Sequence, residues 1–459
     1  MMRRRTFLSG SAAAVACLAA QDFPIARAAS SGSALLGASR QISPLVNGYV
    51  TVWSSPKPDQ IYSASPGLVA LSDGTLLATY DQTGKGVQSL PDLRRDSWPW
   101  TGTISTSGDG GKSWIVRSAM PMHHARPFVA GNSVYVLGQV GDILIMGSRD
   151  GGKTWSQPVR LTTDGIWSGA PTNVVENQGR IHLVMEHQAT KSQAGEWPVA
   201  RLAPVVLSAA VTDDLLDPGS WSFSNKLTFS DALGEAGSAG IIGSPFFKPG
   251  LTAPRNEGDR RMMEPPGWLE ANIVKIEDRN HVWYDPSGLT LHLLLRAHTG
   301  STNLACVLKA VTSPGSSRVK VELERAPSET PMLYLPLPGG HLKFHLIYDK
   351  VTELYWLASN QSTDSMTRPN MLPPERYNLP NNERNRLVLH FSKNCVDWCF
   401  AGVISEGSGA RQTRNYPSIA IRGEDLCVLA RSGDDRSVSA HNSNLITFHS
   451  ISRFRELVY

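Results

Sequence analysis

Titratable and hydrogen-bonding side chains stand where short apolar runs of this sequence begin and end. Those before a run are His123, His124, Arg126, Glu270, His341, Lys343 and Tyr416. Those after a run are Asp81, Gln139, Glu186, Arg296, His298, Asn360 and Arg431. Such groups supply a nucleophile, an acid or base, and cations for an acidic ligand when the fold gathers them in one concavity.

Two octapeptides, SGDGGKSW at 107–114 and SRDGGKTW at 148–155, lie 41 residues apart, a period typical of stacked repeats. Their Ser and Asp side chains can bond the backbone of a tight turn, glycine allows positive φ, and Trp packs beneath a hairpin. We therefore interpret the following residues as turn-formers: Ser107, Asp109, Trp114, Ser148, Asp150 and Trp155. SKNCVDW at 392–398 is a degenerate third copy.

Pairs of apolar runs joined by a turn recur six times, and they predict six hairpins of an all-β protein. They cover 68–81, 127–139, 172–187, 272–298, 344–359 and 418–431. After five of them a second pair of strand-like runs follows, which indicates a six-bladed β-propeller. The run 48–55 is predicted to pair with the last blade and close the ring, with 231–268 and 361–383 as insertions.

The alternating strand directions of a blade decide which residues share a face. If strands A to D run outward from the axis, the starts of A and the ends of B meet on one face. The octapeptides, in C–D turns, then lie on the other face. Adjacent strand residues point to opposite sides, so only one of His123 and His124 reaches the axis. We favour His124, which shares parity with Arg126.

The octapeptide resembles the Asp box of sialidases, S-x-D-x-G-x-T-W, and the resemblance extends over most of the mature chain. It implies that Tyr416, in NYPSIAI, is a nucleophile and that Glu270, in LEANIVKI, assists it. A phenol with a pKa near ~10 needs such a base at neutral pH. The resemblance also implies that Arg296 and Arg384 hold a substrate carboxylate through planar, bidentate guanidinium groups.

The sequence departs from the sialidase pattern in the first blade. Ala64 stands where a third arginine is expected, and one lost charge-assisted pair costs about 1.5–3 kcal/mol. The acid/base aspartate has two candidates, Asp81 and Asp96, and His124 is a further catalytic candidate. The remaining candidates for substrate binding are His123, Arg126, His298, His341, Lys343 and Arg431.

These residues support three hypotheses. The first is an exo-glycosidase that removes a terminal acidic sugar, either sialic acid or a uronic acid. The second is a polysaccharide lyase or uronate-linked glycosidase, in which His124 or Tyr416 takes a C5 proton while arginines neutralise the carboxylate. The third is a glycan-binding propeller without catalysis. Each has an oligosaccharide or polysaccharide as partner, and none requires a cofactor or metal.

Composition narrows the cellular setting. A formal net charge of +4 is too small and dispersed for a nucleic-acid surface, and no apolar segment is long enough to span a membrane. The N-terminal MMRRRTFLSG resembles a twin-arginine export signal, which predicts a signal peptide at 1–28, a linker at 29–44, a propeller at 45–459 and a periplasmic or extracellular product. The four cysteines of the mature chain are predicted to be structural thiols.

Overall fold

Six antiparallel sheets form the body of the protein. The computed structural model describes residues 42–90, 100–188, 199–236, 256–257, 260–261, 267–299, 302–377 and 379–459. In these residues the fold is an all-β, six-bladed propeller, as the sequence predicts. The predicted signal peptide lies outside the described residues, and none of the described helices is long and apolar enough to cross a bilayer.

The chain begins in the last blade and then builds three blades in order. Strand β1 is Val50–Ser54. Blade 1 contains β2 (Tyr62–Ala70), β3 (Leu76–Thr83), β4 (Trp100–Ser107) and β5 (Ile115–Met120). Blade 2 contains β6 (His123–Ala130), β7 (Ser133–Val140), β8 (Asp142–Ser148) and β9 (Val159–Arg160). Blade 3 contains β10 (Trp167–Ser168), β11 (Val175–Asn177), β12 (Arg180–Gln188), β13 (Leu202–Ala210) and β14 (Ser222–Phe223).

Helix α1 (Phe229–Ala236) and a small ladder of β15 (Asn256–Glu257) with β16 (Arg260–Arg261) precede blade 4. Blade 4 contains β17 (Gly267–Val274), β18 (Thr290–His298), β19 (Leu304–Thr312), β20 (Val319–Arg325), β21 (Pro331–Met332) and β22 (Tyr334–Pro336). Blade 5 contains β23 (His345–Asp349), β24 (Leu354–Asn360), β25 (Arg386–Ser392) and β26 (Cys399–Glu406). Blade 6 contains β27 (Arg414–Arg422), β28 (Asp425–Ser432) and β29 (Leu445–Ser452), with β1 outermost.

Strand β1 closes the ring by pairing antiparallel with β29, as the sequence predicts. The two predicted insertions lie between strands, but the first ends earlier than expected, because Gly267 and Trp268 already belong to β17. The second insertion, at 361–383, contains three 3-10 turns, Pro369–Met371, Pro374–Arg376 and Pro380–Asn382. Further 3-10 turns lie elsewhere in the described residues, at Val87–Ser89, Val199–Arg201, Pro218–Ser220 and Phe454–Leu457. The four cysteines of the propeller are free thiols.

Neighbouring inner strands diverge from the axis, so side chains replace the missing ladder bonds between blades. The Asn173 amide donates to the Ile273 carbonyl at 2.7 Å and accepts the Ile273 N–H at 2.8 Å. Asn272 bridges blade 4 to blade 5 in the same way, at 3.2 and 3.1 Å. The Ser418 hydroxyl of blade 6 accepts the Leu68 N–H of blade 1 at 3.0 Å. These bonds satisfy backbone groups that would otherwise be buried without partners.

The two octapeptides form nearly identical turns between the third and fourth strands of blades 1 and 2. In the second, the Asp150 carboxylate accepts the Thr154 N–H at 2.9 Å and the Thr154 hydroxyl at 2.6 Å. The Ser148 hydroxyl accepts the Gly152 N–H at 2.9 Å, and the Trp155 indole donates to the Gly152 carbonyl at 3.1 Å. Asp109 makes the equivalent bonds with Ser113.

The degenerate third copy joins β25 to β26. There the Asn394 side chain accepts the backbone N–H groups of Val396 and Asp397 at 3.0 and 2.9 Å, so an amide takes the place of the aspartate.

Hydrogen bonds of the Asp150 carboxylate with Thr154 and Ser148 hold its pKa well below the usual range. The Asp150 carboxylate therefore acts as an ionised acceptor within the turn of the second octapeptide.

Replacing Asp150 should therefore weaken the scaffold without changing the chemistry. We expect Asp150→Ala to lower the melting temperature by a few degrees, because several turn donors lose their acceptor, and to leave turnover per folded molecule unchanged. The matched control is Asp213→Ala, whose exposed carboxylate makes no hydrogen bond within the described residues. Thermal melts and steady-state kinetics check this. A normal melt with lost activity would contradict it.

Candidate active site

A β-bulge near the start of the inner strand turns one residue of four blades into left-handed backbone. These residues are Ser65 (φ 42°), His124 (φ 54°), Glu270 (φ 59°) and Tyr416 (φ 53°). The bulge sets two residues opposite one, so it breaks the alternation of side chains along the strand. Left-handed backbone is unfavourable for bulky residues, at roughly 1–3 kcal/mol each, so the surrounding structure must hold it.

Two buried carboxyl groups hold two of these bulges. Asp81 lies near the end of the second strand of blade 1 and accepts the backbone N–H of His124, in blade 2, at 2.8 Å. Glu186, near the end of the second strand of blade 3, accepts the N–H of Glu270, in blade 4, at 2.7 Å. Burial raises the pKa of Asp81 well above its usual range and that of Glu186 to about 7. Each carboxyl thus acts as a clamp on the next blade.

Tyr416, Glu270 and Arg296 meet in a closed triangle near the axis. The Tyr416 hydroxyl donates to Glu270 Oε1 at 2.7 Å. Arg296 Nη1 lies 3.0 Å from the Tyr416 oxygen and 3.2 Å from Glu270 Oε2, while its Nε donates to the His341 carbonyl at 2.9 Å. The phenol therefore has a proton acceptor on one side and a fixed cation on the other, the arrangement that activates a nucleophile.

Two further guanidinium groups flank the tyrosine ring. The Cζ atoms of Arg384 and Arg431 lie 5.6 and 5.3 Å from the ring centroid. Arg384 is oriented by Asn382 and Asn415, at 2.5 and 3.2 Å. Burial and the Glu270 charge raise the pKa of Tyr416, whereas the three guanidinium groups oppose that rise. Three fixed cations converge on one phenol, so this part of the site attracts an anion.

The His124 ring lies close enough to Glu270 and Arg431 for their charges to affect its pKa. Its Nδ1 bonds the Gly169 carbonyl of blade 3, and Trp100 packs against its ring at 5.1 Å between centroids. The ring is half-buried, and Nε2 has no hydrogen-bond partner among the described residues. Burial lowers its pKa. An imidazole held through Nδ1 presents Nε2 for acid–base chemistry.

The structure separates His124 from Arg126, contrary to the parity argument, because the bulge lies between them. The buried Arg126 guanidinium donates through Nη2 to the Ala170 carbonyl, the Thr172 hydroxyl and the Val184 carbonyl, at 2.8–3.0 Å. That position is the interface of blades 2 and 3. Arg126 therefore joins blades and does not line the tyrosine site.

The other candidates divide between the wall of the site and its supports. His123 stacks on Trp100 beside His124, with 5.1 Å between ring centroids. His341 is fully buried, its carbonyl bonds Arg296, and burial lowers the pKa of its ring to about 3. His298 is buried at the end of β18, and Lys343 is also fully buried. Asp81 has no exposed surface, and Asp96 lies outside the described residues.

Two features of the site escape the sequence reasoning. Arg431 was an expected substrate contact, but the sequence did not indicate that it joins Arg296 and Arg384 at Tyr416. It comes from the end of β28, next to blade 1, where Ala64 leaves the first-blade arginine missing. The clamping role of Glu186 was also missed. Its only signal was its place at the end of a second strand, which Asp81 shares.

A second space lies further along the axis, towards the turns between first and second strands. This cavity of about 590 Å³ is lined by inner-strand and turn residues that include Val69, Val129, Lys275, Tyr348 and Ile421. Tyr416 and Glu270 do not line it, so it is separate from the charged triangle. The described residues contain no cluster of His, Cys, Asp and Glu that could hold a metal ion.

Known structures share this fold at low sequence identity. No protein-family model and no curated protein sequence matches the chain. The Hadza microbial sialidase Hz136 superposes with a TM-score of 0.51 and 14% identity, over 88% of this chain and 68% of that one. The Trypanosoma rangeli sialidase in complex with sialic acid gives 0.50 and 13%, over 90% and 60%.

A mutant of the Trypanosoma rangeli sialidase displaying trans-sialidase activity gives 0.50 and 14%, over the same shares. This chain thus spans about 60% of the Trypanosoma rangeli protein. At these identities the likeness establishes a sialidase-like propeller fold.

The clamp on Glu270 makes a prediction about stability and pH. The folded Glu186 carboxyl keeps its proton up to about pH 7, whereas the unfolded one releases it near its usual pKa of 4.5. The wild type should therefore lose stability relative to Glu186→Gln, which stays neutral, as the pH rises between those values. Melting temperatures at about pH 5 and about pH 8 measure this. A difference that does not change with pH would contradict the protonated clamp.

Proposed function

We propose that this protein is an exo-glycosidase that hydrolyses a terminal acidic sugar, with Tyr416 as nucleophile. The observation that carries the proposal is the triangle of Tyr416, Glu270 and Arg296, with the hydroxyl 2.7 Å from the carboxylate and 3.0 Å from the guanidinium. The propeller fold, shared with sialidases, supports it by analogy.

Substrate binding follows from the charges. Arg296, Arg384 and Arg431 offer three guanidinium groups around the tyrosine. Guanidinium pairs with carboxylate through two parallel bonds, so a sugar acid would be held with its anomeric carbon near the phenol oxygen. The third cation, from Arg431, weakens the objection raised by Ala64 and with it the hypothesis of a glycan-binding propeller without catalysis.

The chemistry requires two steps. In the first, Glu270 accepts the phenol proton as the Tyr416 oxygen bonds to the anomeric carbon, and the glycosidic oxygen leaves with a proton from an acid. In the second, water attacks the same carbon, its proton returns to that base, and the tyrosine oxygen departs and recovers its own proton from Glu270. We assign the acid/base role to His124, since its Nε2 has no hydrogen-bond partner among the described residues and Asp81 is occupied as a clamp.

A lyase is the second candidate, favoured by the position of His124 beside the same arginines, with Nε2 free of any hydrogen bond to the part of the chain that the structure describes. There His124 would take the C5 proton of a uronic acid while the carboxylate is neutralised. Only β-elimination gives an unsaturated product that absorbs ultraviolet light. We would incubate the purified protein with sialosides, glucuronides, rhamnosides and uronic-acid polysaccharides and identify products by mass spectrometry and absorbance.

Tyr416→Phe removes a single oxygen and should leave the fold and ligand binding intact. Turnover should fall by several orders of magnitude, because the covalent route is lost. Tyr135→Phe is the matched control, since Tyr135 stacks on Phe128 in blade 2, away from the triangle. Steady-state kinetics and circular dichroism on the substrate found by the screen check both variants. Near-normal turnover in folded Tyr416→Phe would refute the tyrosine mechanism.

Arg296→Lys keeps the positive charge but loses the planar pair of donors. It should weaken binding of the acidic substrate more than binding of a neutral amide analogue, by roughly tenfold or more, because a lysine cannot bond a carboxylate in a bidentate manner. Arg117→Lys, on an outer strand of blade 1, is the control. Inhibition constants for the acid and its amide measure the difference, and an equal loss for both would argue against carboxylate recognition.

A further inference from the structure

Lys343 occupies in blade 5 the position that Tyr416 occupies in blade 6. Ser418 follows Tyr416 by two residues and pairs with Leu429. Leu429 in turn lies two residues before Arg431, near the end of β28. Lys343 likewise lies two residues before His345, which pairs with Ala358 two residues before Asn360. The same count places Glu270 in blade 4. Three consecutive blades thus place a carboxylate, an amine and a phenol at the same position relative to their inner strands.

The lysine is buried and holds the segment that carries the tyrosine. Lys343 has no exposed surface, and its Nζ donates to the carbonyl of Pro417, the residue directly after Tyr416. Pro417 has no N–H of its own, so this carbonyl is the only backbone hydrogen-bonding group of the residue. A charged donor makes a stronger hydrogen bond than a neutral one. The contact therefore restrains the left-handed backbone of Tyr416.

Three ionisable groups lie near Lys343. Glu270 of blade 4 attracts its ammonium group, while Arg126 of blade 2 and His345 of its own blade lie close enough to interact with it. Burial lowers the pKa of Lys343 to about 7, with Glu270 opposing that fall and Arg126 adding to it. The amine thus lies within electrostatic range of the Glu270 carboxylate, while Arg296 pairs with that carboxylate directly.

We propose that Lys343 is a positioning residue for the Tyr416–Glu270 pair, which fixes the Tyr416 bulge through the Pro417 carbonyl and places a buried positive charge beside Glu270. This inference rests on the proposed function, since it concerns Tyr416 as the nucleophile. It adds a group whose ionisation acts on the reaction without any contact to the sugar.

The charge gives the sign of the pH dependence. A protonated Lys343 is a charged donor to the Pro417 carbonyl, so its restraint on the Tyr416 bulge weakens as the pH rises through the pKa of the amine, about 7. Wild-type kcat/KM should fall over that interval. An arginine at this position keeps its charge, so the fall should move to higher pH in Lys343→Arg.

Lys343→Met is the decisive variant, because methionine fills similar space without a donor or charge. We expect its crystal structure to show Tyr416 outside left-handed backbone or its hydroxyl beyond hydrogen-bond distance of Glu270. We expect kcat/KM on 4-methylumbelliferyl N-acetylneuraminide, or on the acidic glycoside found by the screen, to fall at least tenfold. We also expect the fall in kcat/KM that the wild type shows as the pH rises through about 7 to be absent. Lys275→Met is the control, since Lys275 pairs with Glu277 at the other end of the axis.

The outcomes separate the two proposals. An unchanged Tyr416 conformation together with a wild-type pH profile in Lys343→Met would overturn the role of Lys343, whatever Tyr416→Phe does. Full turnover by Tyr416→Phe would overturn the proposed function, while a displaced Tyr416 in Lys343→Met would still show that the lysine positions it. If Lys343→Met does not fold, Lys343→Arg decides, because an unshifted fall in kcat/KM in that folded variant contradicts the role of the charge.

Discussion

The β-bulge near the start of the inner strands is the constraint on which the site depends. It turns His124, Glu270 and Tyr416 into left-handed backbone and aims their side chains towards the axis. A regular strand would alternate its side chains between the two neighbouring blades instead. The bulge is unfavourable for such residues, so each of these three needs a neighbour that holds its backbone.

The neighbours that hold these bulges come from adjacent blades. Asp81 and Glu186 bond the N–H groups of His124 and Glu270, and Lys343 bonds the carbonyl of Pro417, which follows Tyr416. Arg296 is itself held by the His341 carbonyl of the next blade. These bonds therefore both join neighbouring blades and orient the residues of the site. If one blade shifted relative to the next, it would lose its packing together with the hydrogen bonds that orient its residues at the site.

The two faces of the propeller carry different kinds of polar group. The octapeptide turns satisfy their own backbone with exposed, ionised aspartates, which suits a face that only has to hold hairpins together. The opposite face buries three arginines, a lysine, the phenol of Tyr416 and the three carboxyl groups of Asp81, Glu186 and Glu270. Buried charges are unfavourable unless they are paired. Here they are paired with one another or with backbone groups, and the excess of cations favours an anionic ligand.

Much of the fold can be deduced from the sequence alone. Hairpin runs such as 68–81 and 418–431, the octapeptide turns and the closing strand β1 follow from local hydrophobic patterns and turn residues, which act over a few positions. The proximity of Tyr416 and Glu270 could also be predicted, because strand direction alone places both on one face.

The tertiary structure decided how the remaining side chains are used. It brought Arg431 to Tyr416, directed Arg126 into a blade interface and buried Asp81 and Lys343 as supports. Alternation along a strand fails at a bulge, and the neighbours of a residue across blades depend on ring closure between segments hundreds of positions apart. Local sequence determines which strands form, whereas only the closed ring determines which charges meet.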